Sequence, residues 1–505
     1  MMSRMSNNMP SPAETLGRVA QSVRLERAIK RRGVVTRVAD AIAIVAGLDD
    51  VGYEEIVTFD TGDVGLAFDL RDDSTGVLIL SDPDGICEGA GVVSAGAMPD
   101  IPVGQALLGR VIDPLGNPLD QGLRPVVDER IALFREAPTI VDRTRVQMPL
   151  HTGITAIDGA IPIGRGQRQL IIGDRNVGKT ALALDIVDAQ TAGDVTCVYV
   201  VIGQPMSRVL TLRNVLSAAG RLNNVVIVAA DASMTPGMRY LAPYAGTSVA
   251  EWFRDRGGHA VVIYDDLTKH ADSYRELALL LDRSPGREAY PGDIFYLHAE
   301  ILERAAALRP ERGGGTVTAL PIVETTDGDI AAYIPTNLIS ITDGQIYLDS
   351  ARFDRNQRPA IDVARSVSRI GSVAQPPTIR VAAKNLRITL ARFESLETLT
   401  RAGLDMDPAM QSAIQRGRVL RALLRQAQLS PRSVAQQAIA LTVVNEGLLD
   451  DVDPADVGRV VNAGLSTVET EYPDLIESAG TTGVDSDKWR DVLKAMVDRA
   501  RSSST

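Results

Sequence analysis

The chain has 505 residues, a length that accommodates about three domains with separate hydrophobic cores. Hydrophobic residues make up 45% of the sequence and charged residues 23%, proportions typical of soluble globular proteins. The formal net charge of −11 argues against a general nucleic-acid binder, the two cysteines exclude a disulfide framework or a zinc set, and no apolar run is long enough to span a membrane.

Residues 1–32 are predicted to form a tail followed by a basic helix. Residues 1–12 are polar and lack the apolar core of a signal peptide and the arginine density of a transit peptide, so we expect a cytosolic, bacterial-type chain. The predicted helix, residues 13–32, is either a solvated surface helix or a docking helix for an acidic partner. Its basic residues are Arg18, Arg24, Arg27, Lys30, Arg31 and Arg32.

Residues 33–98 are predicted to form a small β-barrel. Short apolar segments recur there at regular spacing, and turn clusters rich in glycine and aspartate separate them. This pattern is typical of a closed antiparallel barrel. The predicted strands are residues 34–38, 41–45, 54–59, 64–70 and 77–80.

Residues 99–378 alternate apolar strands with helical segments, which predicts a parallel α/β domain. An octapeptide of the form G-x4-G-K-S/T follows the apolar run 170–172 and precedes the helical run 181–187. This is the strand–loop–helix context of a phosphate-binding loop, whose glycines and helix N-terminus present backbone N–H groups to phosphates. The loop residues are Gly173, Asp174, Arg175, Asn176, Val177, Gly178, Lys179 and Thr180.

The loop predicts a site for ATP or ADP with Mg²⁺. Lys179 supplies a point charge for the terminal phosphates, and the Thr180 hydroxyl is a magnesium ligand. A second apolar strand, residues 260–264, ends in Asp265, which we expect to hold the magnesium directly or through water. The alternative, that the octapeptide is a plain tight turn, leaves the flanking strand and helix and this second motif without an explanation.

Residues 379–505 are predicted to form a helical bundle. Leucine and other apolar residues recur there at three- and four-residue spacings, which places them on one face of each helix. The predicted helices are residues 386–399, 410–424, 431–449, 454–467 and 485–501.

Several longer stretches carry a more specific signal than the phosphate loop. They are residues 162–168, 240–246, 285–293, 332–337, 340–345 and 366–369. Through them, the chain resembles the alpha-subunit family of the F-type ATP synthases over about residues 27–450. The resemblance implies a multidomain fold with an N-terminal β-barrel, a central RecA-like domain that carries the phosphate loop, and a C-terminal α-helical bundle.

The resemblance also implies a place in a rotary complex. Three such subunits alternate with three catalytic beta subunits around a rotating gamma subunit, and the N-terminal end meets the delta subunit of the peripheral stalk. The complex couples ion flow across a membrane to ATP synthesis or hydrolysis. It would hold this chain at the cytoplasmic face of the cell membrane as a peripheral protein, without nucleic acid.

One residue indicates that this chain is the non-catalytic type of subunit. In the catalytic relatives a carboxylate after the strand equivalent to residues 198–202 activates the attacking water. Here the corresponding residue is Gln204, and a neutral amide cannot act as a general base near neutral pH. The alternative is that another acid, such as Glu251, takes over that task.

Further site residues are implied by the resemblance alone. Arg369 corresponds to an arginine finger that reaches the neighbouring subunit's catalytic phosphates, and Ser368 lies beside it in the same motif. A guanidinium suits this task because it is always charged and grips phosphate oxygens bidentately. The adenine and ribose contacts implied for this chain's own site are Phe353, Arg358, Pro359, Gln426 and Gln428.

The sequence also departs from the family pattern. Asn176 and Val177 stand where the family usually has Gln-Thr, and Pro205 and Met206 stand where a lysine or arginine is usual, so nucleotide affinity is open. The sequence of residues 267–279 resembles that of a divergent bacterial branch of the family. Whether the complex moves protons or sodium ions is decided in its membrane ring, outside this chain.

Two other functions compete with this interpretation. A stand-alone hexameric ATPase of a secretion or flagellar export motor should carry a catalytic carboxylate at position 204. A Rho-like RNA translocase should carry a basic, aromatic oligonucleotide-binding surface, whereas aromatic residues are only 4% of this chain.

Overall fold

The computed structural model describes residues 32–127, 129–190, 194–401, 407–481, 484 and 486–502. The basic helix predicted for residues 13–32 lies outside these residues except for its last one. That residue, Arg32, is the first residue of a strand, so the prediction that it ends a helix is wrong.

The first strands close into a six-stranded antiparallel barrel. Apolar side chains on alternate positions fill its interior, among them Val35, Val57 and Val77. The last strand pairs with the first and the third and so closes the barrel; it was absent from the five predicted strands. The strands are β1 (Arg32–Ala39), β2 (Ile42–Ala46), β3 (Ile56–Phe59), β4 (Val64–Leu70), β5 (Thr75–Ile79) and β6 (Gly91–Ser94), in the order β1-β2-β5-β4-β3-β6.

Short strands connect the barrel to the next domain. Of these, β8 joins the edge of the large central sheet, and the others form two small antiparallel pairs, β7 with β9 and β10 with β11, after which the chain enters that sheet. Their bounds are β7 (Asp100–Val103), β8 (Val111–Ile112), β9 (Glu129–Ala132), β10 (Pro149–Leu150) and β11 (Ile163–Gly164).

The central sheet is largely parallel and is buried on both faces. In the described part of the chain it has nine strands, in the order β19-β18-β12-β17-β15-β13-β14-β8, with β16 paired to β17. Only β16 and β19 pair in the antiparallel sense. The bounds are β12 (Leu170–Asp174), β13 (Val195–Ile202), β14 (Val225–Ala230), β15 (His259–Asp265), β16 (Ala306–Ala307), β17 (Thr316–Thr325), β18 (Gly344–Leu348) and β19 (Val367–Ser368).

Helices cover the two faces of this sheet and form two cores. Ile171 and Ile263 belong to one core, whereas their neighbours Ile172 and Val262 belong to the other, as the alternation of a strand requires. The helices are α1 (Thr155–Ala160), α2 (Lys179–Ala189), α3 (Met206–Ala218), α4 (Pro236–Arg254), α5 (Leu267–Leu280), α6 (Ile294–Glu303), α7 (Tyr333–Ile341) and α8 (Ser350–Asp354).

The remaining helices form the C-terminal domain. Their apolar faces include Leu441 and Val461, which belong to the same core as Ile171 of β12. This domain therefore packs on the face of the central sheet to which Ile171 belongs. The helices are α9 (Pro377–Ala382), α10 (Leu386–Arg401), α11 (Pro408–Leu423), α12 (Val434–Asn445), α13 (Val457–Glu471), α14 (Pro473–Thr481) and α15 (Ser486–Ser502).

The predicted fold class is confirmed: a β-barrel, a central α/β domain with the phosphate loop, and a helical domain follow one another. Across the described residues, no helix is both long enough and apolar enough to cross a bilayer.

Candidate nucleotide-binding site

The phosphate loop connects β12 to α2 at the carboxyl end of the central sheet. Gly178 adopts φ 98° at the N-cap of α2, and Asn176 has φ 66°, so the chain turns sharply there. A Cβ on Gly173 would lie 2.6 Å from the carbonyl oxygen of Leu348 on the neighbouring strand. Only glycine fits at position 173, and glycine is strongly favoured at 178.

Asp174 anchors this loop to neighbouring segments. Its Oδ1 accepts hydrogen bonds from the Thr325 hydroxyl at 2.6 Å and the Gly328 N–H at 2.7 Å. Its Oδ2 accepts one from the Ser350 hydroxyl at 2.7 Å. The carboxylate does not line the cavities described below, so its contribution is to hold the loop in place.

Lys179 lies at the start of α2, and its ammonium folds back onto the loop. Nζ donates to the carbonyl oxygens of Gly173 at 2.9 Å and Asp174 at 2.6 Å, and it lies 3.7 Å from the Glu324 carboxylate. Burial lowers the pKa of Lys179, and the surrounding acids partly offset that effect. The charge therefore lies against the phosphate loop and lines the phosphate-side cavity described below.

Asp265, at the end of β15, is the hub of the site. Its Oδ2 accepts hydrogen bonds from the hydroxyls of Thr180 at 2.9 Å and Tyr199 at 2.8 Å, and its Oδ1 accepts one from Gln204 Nε2 at 2.8 Å. Burial raises the pKa of Asp265, although these three donors favour the ionised form. A hydroxyl and a carboxylate side by side are ligands that a hard divalent cation takes.

Two more acids at the same sheet edge were not singled out by the sequence analysis. Burial, followed by the charges of Asp265 and Glu324, raises the pKa of Asp266 to about 7. The Asp266 carboxylate also caps α5 by accepting the N–H of Lys269 at 2.8 Å. Glu324 lies near the carboxyl end of β17, beside the loop strand. The sequence signal that could have identified both acids was their position at or near the ends of predicted strands, because the carboxyl ends of parallel strands lie at one edge of a sheet.

Two cavities meet at the phosphate loop. The first, of about 580 Å³, extends over the phosphate side, and the second, of about 440 Å³, extends toward the C-terminal domain. Both are lined by Asn176, Gly178, Ala181 and Gln428. The two cavities are therefore adjacent and share part of the phosphate loop as a wall.

The residues implied for adenine and ribose line the second cavity. Arg358 stacks over the ring of Phe353 at 4.7 Å, and Pro359 follows it. Gln426 also lines this cavity, but its amide is engaged: Nε2 donates to the Gly153 carbonyl at 2.7 Å. Gln428 lines both cavities.

Asp185 is a further acid in the second cavity that the sequence analysis did not single out. It lies on α2, and its Oδ1 accepts the N–H of Leu429 at 2.8 Å. Burial raises the pKa of Asp185 to about 6. This contact ties the phosphate-loop helix to the segment that carries Gln428. An acid five residues after the loop threonine is the only sequence signal for it.

The alternative that Glu251 activates water in place of a carboxylate at position 204 is wrong. Glu251 is fully buried on α4, away from both cavities, and its carboxylate pairs with Arg304 at 2.7 Å, Arg135 at 3.0 Å and Arg254 at 3.3 Å. It is a structural partner of three arginines. Gln204, in contrast, lines the first cavity beside Asp265.

Arg369 and Ser368 lie apart from this chain's own cavities, at the edge strand β19. The Arg369 side chain is exposed and makes one long contact, 3.4 Å, to the carbonyl oxygen of Ile339. The Ser368 hydroxyl donates to the Pro162 carbonyl at 2.7 Å. Ser368 thus fastens the strand, and the guanidinium beside it points to the protein surface.

Three family models match consecutive parts of the chain. The beta-barrel domain of the ATP synthase alpha/beta family matches residues 29–96, its nucleotide-binding domain matches residues 153–368, and its C-terminal domain matches residues 375–500. The chain belongs to the ATP synthase alpha/beta family. The predicted family is confirmed, and the cavities described above lie largely in its nucleotide-binding domain.

A member of the ATP synthase alpha/beta family from Aquifex aeolicus (strain VF5) is similar to this chain over most of its length. That protein, ATP synthase subunit alpha, is 47% identical over 453 residues, which cover 90% of each chain. The similarity therefore extends over the barrel, the nucleotide-binding domain and the C-terminal domain.

Proposed function

We propose that this chain is the non-catalytic, nucleotide-binding alpha subunit of a rotary F-type ATP synthase. The observation that carries the proposal is the amide of Gln204, which lies 2.8 Å from Asp265 at the place where a catalytic site needs a carboxylate. The similarity to the Aquifex alpha subunit supports the choice of subunit type.

In this proposal the chain binds ATP or ADP with Mg²⁺. The backbone of the loop and the Lys179 ammonium hold the phosphates, and the Thr180 hydroxyl and the Asp265 carboxylate hold the magnesium, the latter through water. The stacked Phe353–Arg358 pair and Gln428 contact the base and ribose. When bound, magnesium would supply charge neutralisation for the phosphates.

Three acids that line the phosphate-side cavity each contact a partner. Asp265 accepts three hydrogen bonds, Asp266 caps α5, and Glu324 faces the Lys179 ammonium. The Gln204 amide is neutral across the physiological range and can orient a water molecule without deprotonating it. Binding without turnover is the expected result.

The same proposal assigns the partners. Three copies alternate with three beta subunits, and Arg369 reaches the phosphates of a beta subunit's catalytic site. The gamma subunit passes through the centre, and residues 1–32, which lie mostly outside the described residues, meet the delta subunit and the peripheral stalk. The whole lies on the cytoplasmic face of the cell membrane and couples ion flow to ATP synthesis or hydrolysis.

The proposal is tested with the purified chain. It should bind Mg-ATP in equilibrium dialysis and hydrolyse it negligibly, and Lys179→Ala should lose most of the binding, which shows that the ligand occupies the loop. Steady-state turnover on the order of 1 s⁻¹ or faster, within the usual range of enzymes, would refute the non-catalytic assignment. Failure of the unmodified chain to bind nucleotide would refute the whole proposal.

A further inference from the structure

One arginine in the phosphate-side cavity has no role in the assignments above. Arg208 is the third residue of α3, which begins at Met206 directly after the Gln204 segment. It lines the 580 Å³ cavity together with Lys179 and Thr180. Because Cα–Cβ bonds tilt toward the N-terminus of a helix, the stem of Arg208 leans toward Gln204 and the hub at Asp265.

The guanidinium of Arg208 has no acidic partner within the described part of the chain. Two other cations of the cavity are engaged there: Lys179 with the loop carbonyls and Lys269 with Asp272 at 3.7 Å. Arg175, on the phosphate loop itself, also lines the cavity. Arg208 is exposed, and within the described residues its side chain makes no hydrogen bond. Its charge is therefore available to a ligand in the cavity.

The position of Arg208 is also electrostatically unfavourable without a ligand. The first turn of a helix carries partial positive charge, so a cation there opposes the helix dipole. The first turn of α3 holds no acidic residue, and no side chain caps its N-terminus. An anion bound in front of this turn would relieve both the dipole and the Arg208 charge.

We propose that Arg208 binds the terminal phosphate of ATP and makes this site prefer ATP over ADP. The inference rests on the proposed nucleotide binding. The phosphate loop lines the cavity through Lys179 and Thr180, whereas Arg208 lines it from the helix that follows Gln204. The loop would hold the inner phosphates, which leaves Arg208 to contact the terminal one. A guanidinium provides bidentate hydrogen bonds to phosphate oxygens, which gives the contact both charge and geometry.

Three variants of the full-length chain test this assignment. Arg208→Gln removes the charge, Arg208→Lys keeps it without the bidentate fork, and Arg213→Gln is the matched control because it removes the same charge from the same helix at a position that lines neither cavity. Equilibrium binding of Mg-ATP and Mg-ADP is measured for each, along with the thermal unfolding midpoint without nucleotide.

We expect Arg208→Gln to weaken Mg-ATP binding on the order of tenfold to a hundredfold, the loss of a charge-assisted hydrogen bond, and Mg-ADP binding less than about threefold. Arg208→Lys should lie between this variant and the unmodified chain, and Arg213→Gln should match the unmodified chain. The unfolding midpoint of Arg208→Gln should stay the same or rise, because the charge opposed the helix dipole.

An equal loss for ATP and ADP, or no loss for either, would overturn the assignment while leaving nucleotide binding by the unmodified chain intact. A fall in the unfolding midpoint of Arg208→Gln without nucleotide would show a structural role instead. Inorganic phosphate alone distinguishes the source of the anion: if it binds through Arg208 as tightly as ATP does, the site is a free-phosphate site and the assignment to ATP falls. Absence of all nucleotide binding would refute both this inference and the proposed function.

Discussion

Replacing Arg369 by alanine should remove catalysis from an assembled complex while leaving this chain folded. The structure bounds the cost to folding: the side chain is exposed and makes a single 3.4 Å contact, so its loss costs at most about 1 kcal/mol. An arginine finger supplied to a neighbour is worth about 10³–10⁵ in rate, which is about 4–7 kcal/mol of transition-state stabilisation. The small cost to folding and the large cost to catalysis differ enough to distinguish an arginine finger from a residue that only stabilises the subunit contact.

The assay compares ATP hydrolysis by purified complexes that carry the unmodified chain, Arg369→Ala, Arg369→Lys or Arg365→Ala. Arg365 is a suitable control because it is an exposed arginine close to Arg369 in the chain. Native mass spectrometry shows whether each complex is intact. We expect Arg369→Ala to lose nearly all turnover, Arg369→Lys to recover little because an ammonium is not bidentate, and Arg365→Ala to keep most of it.

Near-normal turnover of an intact Arg369→Ala complex would refute the finger. Dissociation of that complex would show instead that Arg369 braces the subunit contact. An equal loss in the Arg365→Ala complex would show that the effect is one of surface charge. Only an intact, inactive Arg369→Ala complex beside an active Arg365→Ala complex agrees with the proposed role.

Lys179→Ala should weaken nucleotide binding by this chain about tenfold to a hundredfold in a binding titration, yet leave much of the ATPase activity of an assembled complex, because the catalytic sites lie elsewhere; complete loss of activity with assembly intact would contradict this. Asp158→Ala should cost about 3–5 kcal/mol of unfolding free energy, since it leaves the charge of His151 unpaired and buried donors unsatisfied. Burial, the largest single effect, lowers the pKa of His151, but the charge and hydrogen bond of Asp158 and a hydrogen bond to the Arg432 carbonyl together raise it above its usual value. The pair's contribution is therefore complete below about pH 6.5 and declines as pH rises through the raised pKa; denaturant titrations should show a larger cost of Asp158→Ala near pH 6 than near pH 9. Gly417→Ala should cost about 1–3 kcal/mol, because its Cβ would lie 2.2 Å from a phenylalanine ring on α10, whereas Gly458→Ala, with open space around it, should be neutral or stabilising in the same unfolding measurement.

The barrel and the helices could be predicted because their side-chain periods are local. Strand β4 matches its predicted bounds, and five of the C-terminal helices begin within a few residues of the predicted positions, whereas α9 and α14 were not predicted. Strand β6 was missed because four residues, Gly91–Ser94, are too short to show a period. What makes them a strand is pairing with β1 and β3, a tertiary contact that no local pattern reports.

The site could be predicted only in part for the same reason. The loop and Asp265 stand in local motifs, so their residue types and flanking strands suffice to find them. Glu324 and Asp185 become site residues through sheet order and through the contact of α2 with the C-terminal segment, and neither lies in a motif. The engaged amide of Gln426 likewise depends on a carbonyl 273 positions away in sequence.

The second cavity is shared by two domains, and this has a consequence for how the chain responds to its environment. The loop helix contributes Asp185, whereas the C-terminal domain contributes Gln426 and Gln428. A ligand that binds only when both walls are in place stabilises their docking by mass action, about 2.7 kcal/mol when its concentration is a hundred times its dissociation constant. Under the proposed function, bound nucleotide would therefore add to the stability with which the segment carrying Gln426 and Gln428 docks onto the loop helix.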